Sequence, residues 1–385
     1  MDIEDLTNKV NSINYLIPRD YNEVEEKFMY KFIDKLLSSL KNIDEIDEFN
    51  FKKCLRSLER ELKPKSKIKY YELNYFARKM FTEYLIFEDE LKLIKKYIKT
   101  KKVRSQSGIL EVAIMTSPGN FSCAYDCYYC PNQKDMPRSY IKEEPAVKRA
   151  AMNGFDTVKQ FYDRATTYSL NGHNVDKIEL IVLGGTWSSY PYSYQKTFIR
   201  DLYYAANTFY LSNDKKKRER LSLKKEQKLN ENAMCHIVGL TLETRPDSIN
   251  IEEIKRFNLF GVTRVQLGIQ HTDNKILRKI NRQSTIEDAV NAIWMLKECG
   301  FKIMIHIMPN LPNSNPDKDI EMFDRIIDSE DLQADEWKIY PTSVTTTSSK
   351  DDEEVFTVIE KWYKEGKYTP YSNEELYNVI LHAKM

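Results

Sequence analysis

The sequence of 385 residues lacks any apolar run of the roughly eighteen residues that a membrane-spanning helix requires. Its acidic first ten residues, MDIEDLTNKV, resemble neither a secretory signal nor a transit peptide. No repeat of fixed period and no Pro-, Gly- or Ser-rich linker divides it. We therefore expect a cytoplasmic or nucleocytoplasmic protein with no membrane partner.

The sequence also lacks an excess of charge, since 59 Lys and Arg face 58 Asp and Glu. Any attraction to a polyanion must then come from local segregation of charge. Residues 63–104 show such segregation, with thirteen Lys and Arg against five Asp and Glu. Aromatic residues are interleaved with them: Tyr70, Tyr71, Tyr75, Phe76 and Tyr97. This composition suits an RNA backbone and unpaired bases, although the solvated face of a helical pair has the same composition.

The apolar fraction of 41% is enough for one large or two ordinary domains. Over residues 1–104 apolar residues recur at helical spacing, as in Phe28, Phe32, Leu36 and Leu40, which predicts a helical first domain. Over residues 105–385 short β-branched runs alternate with amphipathic segments of helical length, the pattern of βα units around a parallel sheet. The polar stretch 213–231 reads as a solvated helix or insertion.

Six strands are predicted: Leu110–Thr116, Ile178–Leu183, Ile237–Leu242, Arg264–Ile269, Lys302–Met308 and Trp337–Tyr340. The fold class is therefore α/β, with six βα units in an open, partial (β/α)6 TIM-like barrel, although a doubly wound sheet has the same local pattern. The loops after parallel strands open on one face, where active sites lie. Residues suited to binding or catalysis follow these strands: Cys123 to Cys130, Gly184-Gly185-Thr186, Glu243-Thr244-Arg245, Gln270-His271, Pro309-Asn310 and Pro341-Thr342.

Cysteine is scarce, but three of the six cysteines lie within eight positions, at Cys123, Cys127 and Cys130. In a reducing compartment such a cluster indicates metal rather than a disulfide framework. Three thiolates suit a [4Fe–4S] cluster that leaves one iron free for an external ligand. A structural zinc site or three inert thiols are the alternatives, but zinc requires a closed set of four ligands and no fourth lies nearby in sequence.

This CxxxCxxC loop, with Tyr129 before its last cysteine, resembles the radical S-adenosylmethionine signature. Further segments resemble the catalytic subunit of Elongator: SGILEVAIM, NVDKIELIVLGGTW, GLTLETRPD, GVTRVQLGIQ, NRQST, GFKIMIHIMPNLPNSNPDKDIEMF and KIYPT. The resemblance covers about residues 104–371, and the first hundred residues are more loosely similar to the tRNA-binding region of that family.

The resemblance implies a [4Fe–4S] cluster, S-adenosylmethionine cleaved to methionine and a 5′-deoxyadenosyl radical, and acetyl-CoA as co-substrate. It implies carboxymethyl-type modification of the wobble uridine of tRNA. The implied partners are tRNA, acetyltransferase or Elongator-like subunits in trans, and a second copy of the chain. A different radical enzyme acting on another RNA, or a non-catalytic tRNA-binding or assembly subunit, are the alternative functions.

The chain departs from the family pattern in three places. The gap between Cys123 and Cys127 is shorter than is typical, and residues 344–347 read Val-Thr-Thr-Thr where the family has an Arg-Gly-Thr turn. The sequence ends at Met385, before an acetyltransferase domain, and no Gly-rich turn suits the pyrophosphate of acetyl-CoA. We therefore expect no use of acetyl-CoA without a partner.

Individual roles follow from residue type and from the resemblance. Gly184, Gly185 and Thr186 end a buried strand, where the resemblance implies contact with the amino group of S-adenosylmethionine and a tight turn is the alternative. Glu243 and Arg245 could bind the ribose or the carboxylate of that cofactor, or could form a salt bridge. The Gln270 amide could bind a ribose or uracil edge, or serve as a cap.

Four further residues have less specific roles. Lys177 matches a family lysine linked to acetyl-CoA, yet by itself it is an ordinary surface lysine. The Tyr340 phenol could face the radical site, or belong to the barrel core. Tyr129 could pack on the adenine or bury the cluster. His306 alternates with apolar neighbours, which suggests a core residue or a wall of the site rather than a metal ligand.

Overall fold

Helices come first in the described part of the chain, and strands then alternate with helices. The computed structural model describes residues 20–43, 45–119, 123–211, 218–344 and 357–385. The initial helices are α1 Glu23–Lys41, α2 Glu48–Leu62, α3 Tyr70–Thr82 and α4 Glu88–Ile98. The Val-Thr-Thr-Thr departure lies, after Val344, outside the described residues.

Six strands follow, at β1 Leu110–Met115, β2 Lys177–Leu183, β3 His236–Thr244, β4 Arg264–Gln270, β5 Lys302–Ile307 and β6 Glu336–Ile339. The later helices are α5 Pro145–Met152, α6 Thr157–Leu170, α7 Tyr192–Thr208, α8 Leu223–Asn230, α9 Ile251–Phe260, α10 Asn274–Lys279, α11 Ile286–Glu298, α12 Pro316–Asp328, α13 Val358–Lys364 and α14 Asn373–His382. All six predicted strands are present, each with both ends within two residues of the prediction.

The strands form one sheet in the order β1-β2-β3-β4-β5-β6. The pairs β3–β4, β4–β5 and β5–β6 are parallel, with Leu242 opposite Val265 and Val265 opposite Ile303. The sheet curls into a half-barrel, which confirms the predicted fold class over a doubly wound sheet. Sequential order is the direct outcome of successive right-handed βα crossovers.

Short polar side chains start the helices around the barrel. Asn250, Asp273, Thr285 and Asn315 each accept a hydrogen bond from a backbone N–H in the first turn of α9, α10, α11 and α12. These caps satisfy donors that have no partner within the helix. They fix where each helix begins, and so fix the length of the loop that precedes it.

The chain divides into two compact units, Met1–Glu111 with Phe161–Ile178 and Tyr203–Ile237, and Val112–Gln160 with Glu179–Leu202 and Val238–Met385. The boundary predicted near residue 104 falls inside the first unit. Along the described residues of both units, no helix is both long enough and apolar enough to span a membrane.

The first unit has its own apolar core, which includes Phe32, Leu36, Phe51 and Phe76. The predicted helical spacing in α1 is confirmed, because Phe32, Leu36 and Leu40 are buried there. The aromatic part of the RNA-binding interpretation is wrong for Tyr75, Phe76 and Tyr97, which are buried in this core. Those rings hold the helices together and are not available to stack on bases.

The polar stretch after residue 213 does contain a helix, α8, but the helix is less solvated than its composition suggested. Leu223, Glu226 and Asn230 are buried along one of its faces. Residues 212–217 lie outside the described residues. The spacing of these three positions, three and then four residues apart, is the signal that marks a packed face.

Candidate active site

A cavity of about 500 Å³ lies within the second unit, where the strand-end loops meet. Nearly all the predicted site residues line it: Cys123, Cys127, Tyr129, Cys130, Gly184, Gly185, Thr186, Glu243, Arg245, Gln270 and Tyr340. They come from the cysteine loop and from the ends of β2, β3, β4 and β6. The rule that parallel strands present their following loops on one face accounts for this convergence.

Each cysteine sulfur has its own polar partner. The Sγ of Cys123 shares a hydrogen bond of 3.3 Å with Thr186 Oγ1. The Sγ of Cys130 contacts Ser139 Oγ at 3.2 Å and accepts from Arg138 Nε at 3.4 Å. Burial raises the pKa of the Cys130 thiol, and the bonds from Ser139 and Arg138 offset part of that rise by stabilising thiolate, the form that binds metal.

Cys127 is the most buried of the three cysteines, and two guanidinium groups converge on its sulfur. Arg245 Nη1 donates to Sγ at 3.6 Å and Arg282 Nη1 at 3.7 Å. The loop closes on itself here, because the Cys130 N–H donates to the Cys127 carbonyl at 3.0 Å. Positive charge therefore concentrates where a negatively charged cluster would be held.

Across the residues that the structure describes, no three Cys, His, Asp or Glu side chains stand close enough together to chelate a single metal ion. A four-iron cluster is larger than one ion, so its cysteine ligands do not have to touch one another. The three sulfurs all border one cavity and are matched by hydroxyl and guanidinium donors. These residues fit a three-cysteine cluster better than a closed four-ligand zinc site.

The turn after β2 brings backbone close to backbone. Gly184 has φ +123°, and a Cβ there would lie 1.8 Å from Thr116 Oγ1. Thr116 cannot easily yield, since it is buried and its hydroxyl is 2.7 Å from that of Tyr190. A Cβ at Gly185 would come no closer than 3.5 Å to its nearest neighbour. The first glycine is thus required by the fold, whereas the second leaves open wall that a ligand can approach.

A bulge at the end of β4 places Gln270 at the cavity. The register to β5 shifts between Gly268 and Gln270, and Gln270 has φ +74°. Its Oε1 is buried and accepts no hydrogen bond from any described residue. An unpaired buried amide oxygen in a cavity wall is expensive, so a ligand that donates a hydrogen bond would fit here.

A polar chain crosses the ends of β3 to β6. His306 Nε2 donates to Gln266 Oε1 at 2.9 Å, and Lys338 Nζ donates to the same oxygen at 2.9 Å. His306 Nδ1 lies 3.4 Å from Glu243 Oε1. Burial alone would raise the pKa of the Glu243 carboxyl, but the contact with His306 holds it below its ordinary value. Glu243 therefore presents an ionised acceptor to the cavity.

Tyr340 is 47% exposed, and its ring packs edge-on against His306 with centroids 5.4 Å apart. Its phenol is therefore accessible from the cavity, and burial of part of the ring, with Glu243 nearby, raises the pKa of Tyr340. His306 itself is buried and forms part of the wall, in line with the sequence-based interpretation.

Two of the three tyrosines of the cysteine loop, Tyr128 and Tyr129, anchor it to neighbouring elements. Tyr129 packs against Ile276, Leu277, Ile280 and Leu311, and Arg282 Nη1 donates to its hydroxyl at 3.2 Å. Burial raises the pKa of Tyr129. Tyr128 donates its N–H to the Ile280 carbonyl at 3.0 Å, and its ring meets Trp362 of α13 at 5.4 Å. The loop is thus held by α10 and α13.

Lys177 is the one predicted site residue that the structure does not bring to the cavity. It is exposed, and it begins β2, whereas Gly184 follows the last residue of the same strand. Seven residues of extended chain separate the two by about 20 Å. Its link to acetyl-CoA stays a prediction.

Sequence reasoning missed several residues of the cavity wall. Arg138, Ser139, Tyr140, Arg282 and Lys338 line it, and none was singled out. Arg282 lies in the NRQST segment and Lys338 in KIYPT. The family resemblance therefore included both residues, but it did not assign a role to either side chain. Arg138 and Ser139 lie outside the segments that resemble the family, and only the folded loop brings them to Cys130.

Comparison with known proteins identifies the family to which the chain is similar. The family model of the Radical SAM superfamily matches residues 117–326. The tRNA uridine(34) acetyltransferase of Dehalococcoides mccartyi is 37% identical over 284 residues, 74% of this chain and 58% of that protein. Elongator complex protein 3 of Mus musculus is 32% identical over 297 residues, 74% of this chain and 50% of that protein.

A solved structure of the archaeal Methanocaldococcus infernus Elp3 with an N-terminal deletion also matches, with TM-score 0.57 and 33% identity. The match covers 72% of this chain and 54% of that one. The chain thus spans little more than half the length of the relatives it matches. Superfamily membership implies a [4Fe–4S] cluster and S-adenosylmethionine, and the cavity chemistry fits both. On the family match and on the fold, the chain belongs to the radical SAM superfamily.

Proposed function

We propose that Cys123, Cys127 and Cys130 hold a [4Fe–4S] cluster and that the cavity binds S-adenosylmethionine for radical modification of the wobble uridine of tRNA. The observation that carries the proposal is that three cysteine sulfurs border one cavity with the ends of four parallel strands. When bound, the cluster supplies the electron that cleaves S-adenosylmethionine to methionine and a 5′-deoxyadenosyl radical.

The residues of the chain bind and orient. Cys127, whose sulfur accepts from two guanidinium groups, would hold the cluster as its most buried ligand. The open wall at Gly185 and the unpaired Gln270 Oε1 accept polar groups of the cofactor, and Glu243 accepts from hydroxyl groups such as those of the ribose. Tyr340, half exposed at the rim, presents its phenol to the substrate side of the cavity.

The choice of substrate rests on the relatives. The Dehalococcoides mccartyi protein is named for uridine 34 of tRNA, and the mouse protein for Elongator. The basic residues 63–104 offer a local surface for a polyanion, since Lys96, Lys101 and Lys102 are exposed. tRNA is therefore the proposed partner, with acetyl-CoA as the proposed co-substrate when an acetyltransferase partner is supplied.

The cluster is tested by anaerobic reconstitution with iron and sulfide. We expect about four irons per chain in the wild type. Replacing Cys123, Cys127 and Cys130 together by Ala should abolish this iron, whereas a matched variant with Cys54 and Cys299 replaced by Ala should retain it. Full iron content in the triple variant would contradict the cluster assignment.

The reaction is tested with the reconstituted wild type, dithionite and S-adenosylmethionine. 5′-Deoxyadenosine should form, and mass spectrometry of nucleosides from added tRNA should show a mass increase confined to the wobble uridine. The assay is run with and without acetyl-CoA and with and without an acetyltransferase partner. Iron-loaded protein that yields no 5′-deoxyadenosine would favour a non-catalytic tRNA-binding subunit, and product on another RNA would favour a different radical enzyme.

A further inference from the structure

Arg245 is a buried arginine whose guanidinium is almost fully engaged by other groups of the protein. It is 1% exposed. Its Nε and Nη2 donate to the two carboxylate oxygens of Asp247, both at 2.9 Å. Nη2 also donates to the Arg282 carbonyl at 2.6 Å, and Nη1 donates to Cys127 Sγ at 3.6 Å. A guanidinium has five N–H donors, so four of the five are engaged.

The guanidinium is also fixed from one face. Its central carbon lies 3.5 Å from the ring centroid of Tyr125, which belongs to the cysteine loop itself. A stacked ring and a bidentate carboxylate together leave the group one orientation. The orientation sends Nη1 toward the sulfur. The bidentate pair with Asp247 is complete without that contact, so charge balance alone does not require it.

The three cysteine sulfurs have different hydrogen-bond partners. Cys123 meets a neutral hydroxyl, and Cys130 meets Arg138, which is shared with the exposed Asp126. Only Cys127, among these three, meets a guanidinium whose side chain is 2% exposed. A hydrogen bond from a buried cation is stronger than one at the surface, because little water screens it.

We propose that Arg245 is a positioning residue that acts through Cys127, holding its sulfur toward the cavity and raising the reduction potential of the cluster. The inference rests on the proposed function, since it takes Cys127 as a cluster ligand. Hydrogen bonds to ligand sulfurs and nearby positive charge favour the reduced cluster, which carries one more negative charge. In this proposal Arg245 forms the salt bridge that its sequence position left open beside binding of the ribose or the carboxylate of the cofactor.

The step that Arg245 assists is a one-electron reduction. A low-potential one-electron donor gives up the electron, the oxidised cluster accepts it, and no proton or bond moves. Arg245 exchanges no electron and no proton. It lowers the energy of the added charge by placing a fixed cation beside the ligand sulfur.

The test is an EPR-monitored redox titration of the reconstituted full chain with dithionite and mediators. For Arg245→Gln we expect the iron content of the wild type and a reduction that is about tenfold less favourable, a shift of about 59 mV to lower potential for a one-electron couple. Arg245→Lys keeps the positive charge but loses the bidentate geometry of the guanidinium, so it should shift the potential by less. Arg256→Gln is the matched control, because that arginine pairs with Glu253 and is 42% exposed.

Asp247→Asn provides a second test, since it weakens the bidentate pair and leaves Arg245 in place. It also removes the negative charge that offsets Arg245, so the reduction potential should rise, and the weakened pair should change the EPR line shape. An unchanged potential and spectrum in iron-loaded Arg245→Gln or, if that variant does not fold, in Asp247→Asn would overturn the inference while the proposed function stands. Wild-type protein that binds no iron would overturn the proposed function and the inference with it.

Discussion

At the scale of single residues, the glycine pair after β2 shows how two identical residues can have different functions. Gly184 combines a positive φ with a Cβ position 1.8 Å from Thr116 Oγ1, whereas Gly185 has neither constraint. The sequence presents them as one motif. The structure assigns the packing of β1 against β2 to the first and open cavity wall to the second.

We expect Gly184→Ala to destabilise the protein by about 1–3 kcal/mol from backbone strain, with a further loss from the clash at Thr116. Gly185→Ala, the matched control, should keep the stability of the wild type and weaken binding of S-adenosylmethionine. Thermal unfolding measures the first effect and equilibrium dialysis of the cofactor the second. Equal melting temperatures for the two variants would contradict the distinction.

The residues that sequence reasoning could find are those whose position along a strand determines where they go. Glu243 and Gln270 were predicted because a polar side chain directly after a buried strand must lie at the mouth of a barrel. Arg282 was not, although it contacts Cys127, because the two are 155 positions apart and no strand end marks it. Contacts made by long side chains across the cavity depend on rotamers that the spacing of residues does not encode.

At the scale of elements, strand position was the most predictable feature and solvation of helices the least. Alternating β-branched runs with helix-length segments identify βα units, and all six strands were located in this way. Helix α8 was misjudged because its buried face includes Glu226 and Asn230, which composition counts as polar. A charge that is buried with its partner cannot be recognised from its residue type alone.

That buried carboxylate leads to a prediction about pH. Arg218 donates to Glu226 through Nη1 and Nη2, both at 2.8 Å, and the Glu226 side chain is fully buried. Burial would raise the pKa of Glu226, but the bonds from Arg218, from the Leu221 N–H and from Asn207 hold it below its ordinary value. Because the folded pKa is lowered, the stabilisation is present above the unfolded pKa of about 4.3 and is lost as pH falls through the folded value.

We therefore expect Glu226→Gln to lower the free energy of unfolding by about 3 kcal/mol at neutral pH, since it leaves Arg218 without its buried partner. The difference from the wild type should shrink as the pH falls below about 4. Glu231→Gln, which removes an exposed pair with Lys228, should change stability by less than about 0.5 kcal/mol. Thermal unfolding at several pH values measures both, and a difference that grows toward acid pH would contradict the assignment.

At the scale of the whole molecule, the first compact unit is built from three separate segments of the chain. The helical first domain was predicted from residues 1–104, but the first unit also takes in Phe161–Ile178 and Tyr203–Ile237. Within that unit Asn74 Nδ2 donates to the carbonyls of Ser169 and Leu170 at 2.8 and 2.9 Å, and Arg78 Nη1 donates to Ser169 Oγ at 2.9 Å. Contacts between segments a hundred positions apart decide such boundaries, and local periodicity carries no information on them.

The basic surface of the first unit carries the proposal that tRNA is the partner. Lys96, Lys101 and Lys102 are exposed, and Lys102 has an ion pair of 3.0 Å with Glu48. Tyr75, Phe76 and Tyr97 are buried, whereas Tyr84 and Phe87 are exposed, so the salt dependence of binding is what separates phosphate contacts of the lysines from stacking on aromatic rings. Binding that depends on phosphate contacts releases counterions and therefore weakens steeply with salt.

Replacing Lys96, Lys101 and Lys102 by Gln should weaken tRNA binding and reduce the slope of log K against log salt by about two, at roughly 0.7–0.9 for each phosphate that is no longer neutralised. Lys102 contributes less than the other two, since its pair with Glu48 already offsets part of its charge. The matched control replaces three exposed lysines of the second unit, Lys255, Lys297 and Lys302, and should leave the slope unchanged. Fluorescence anisotropy with labelled tRNA at several salt concentrations measures both slopes. If the first variant keeps the wild-type slope while a Lys224→Gln, Lys225→Gln variant of α8 loses it, the phosphate contacts lie on α8 and the assignment to residues 63–104 is wrong.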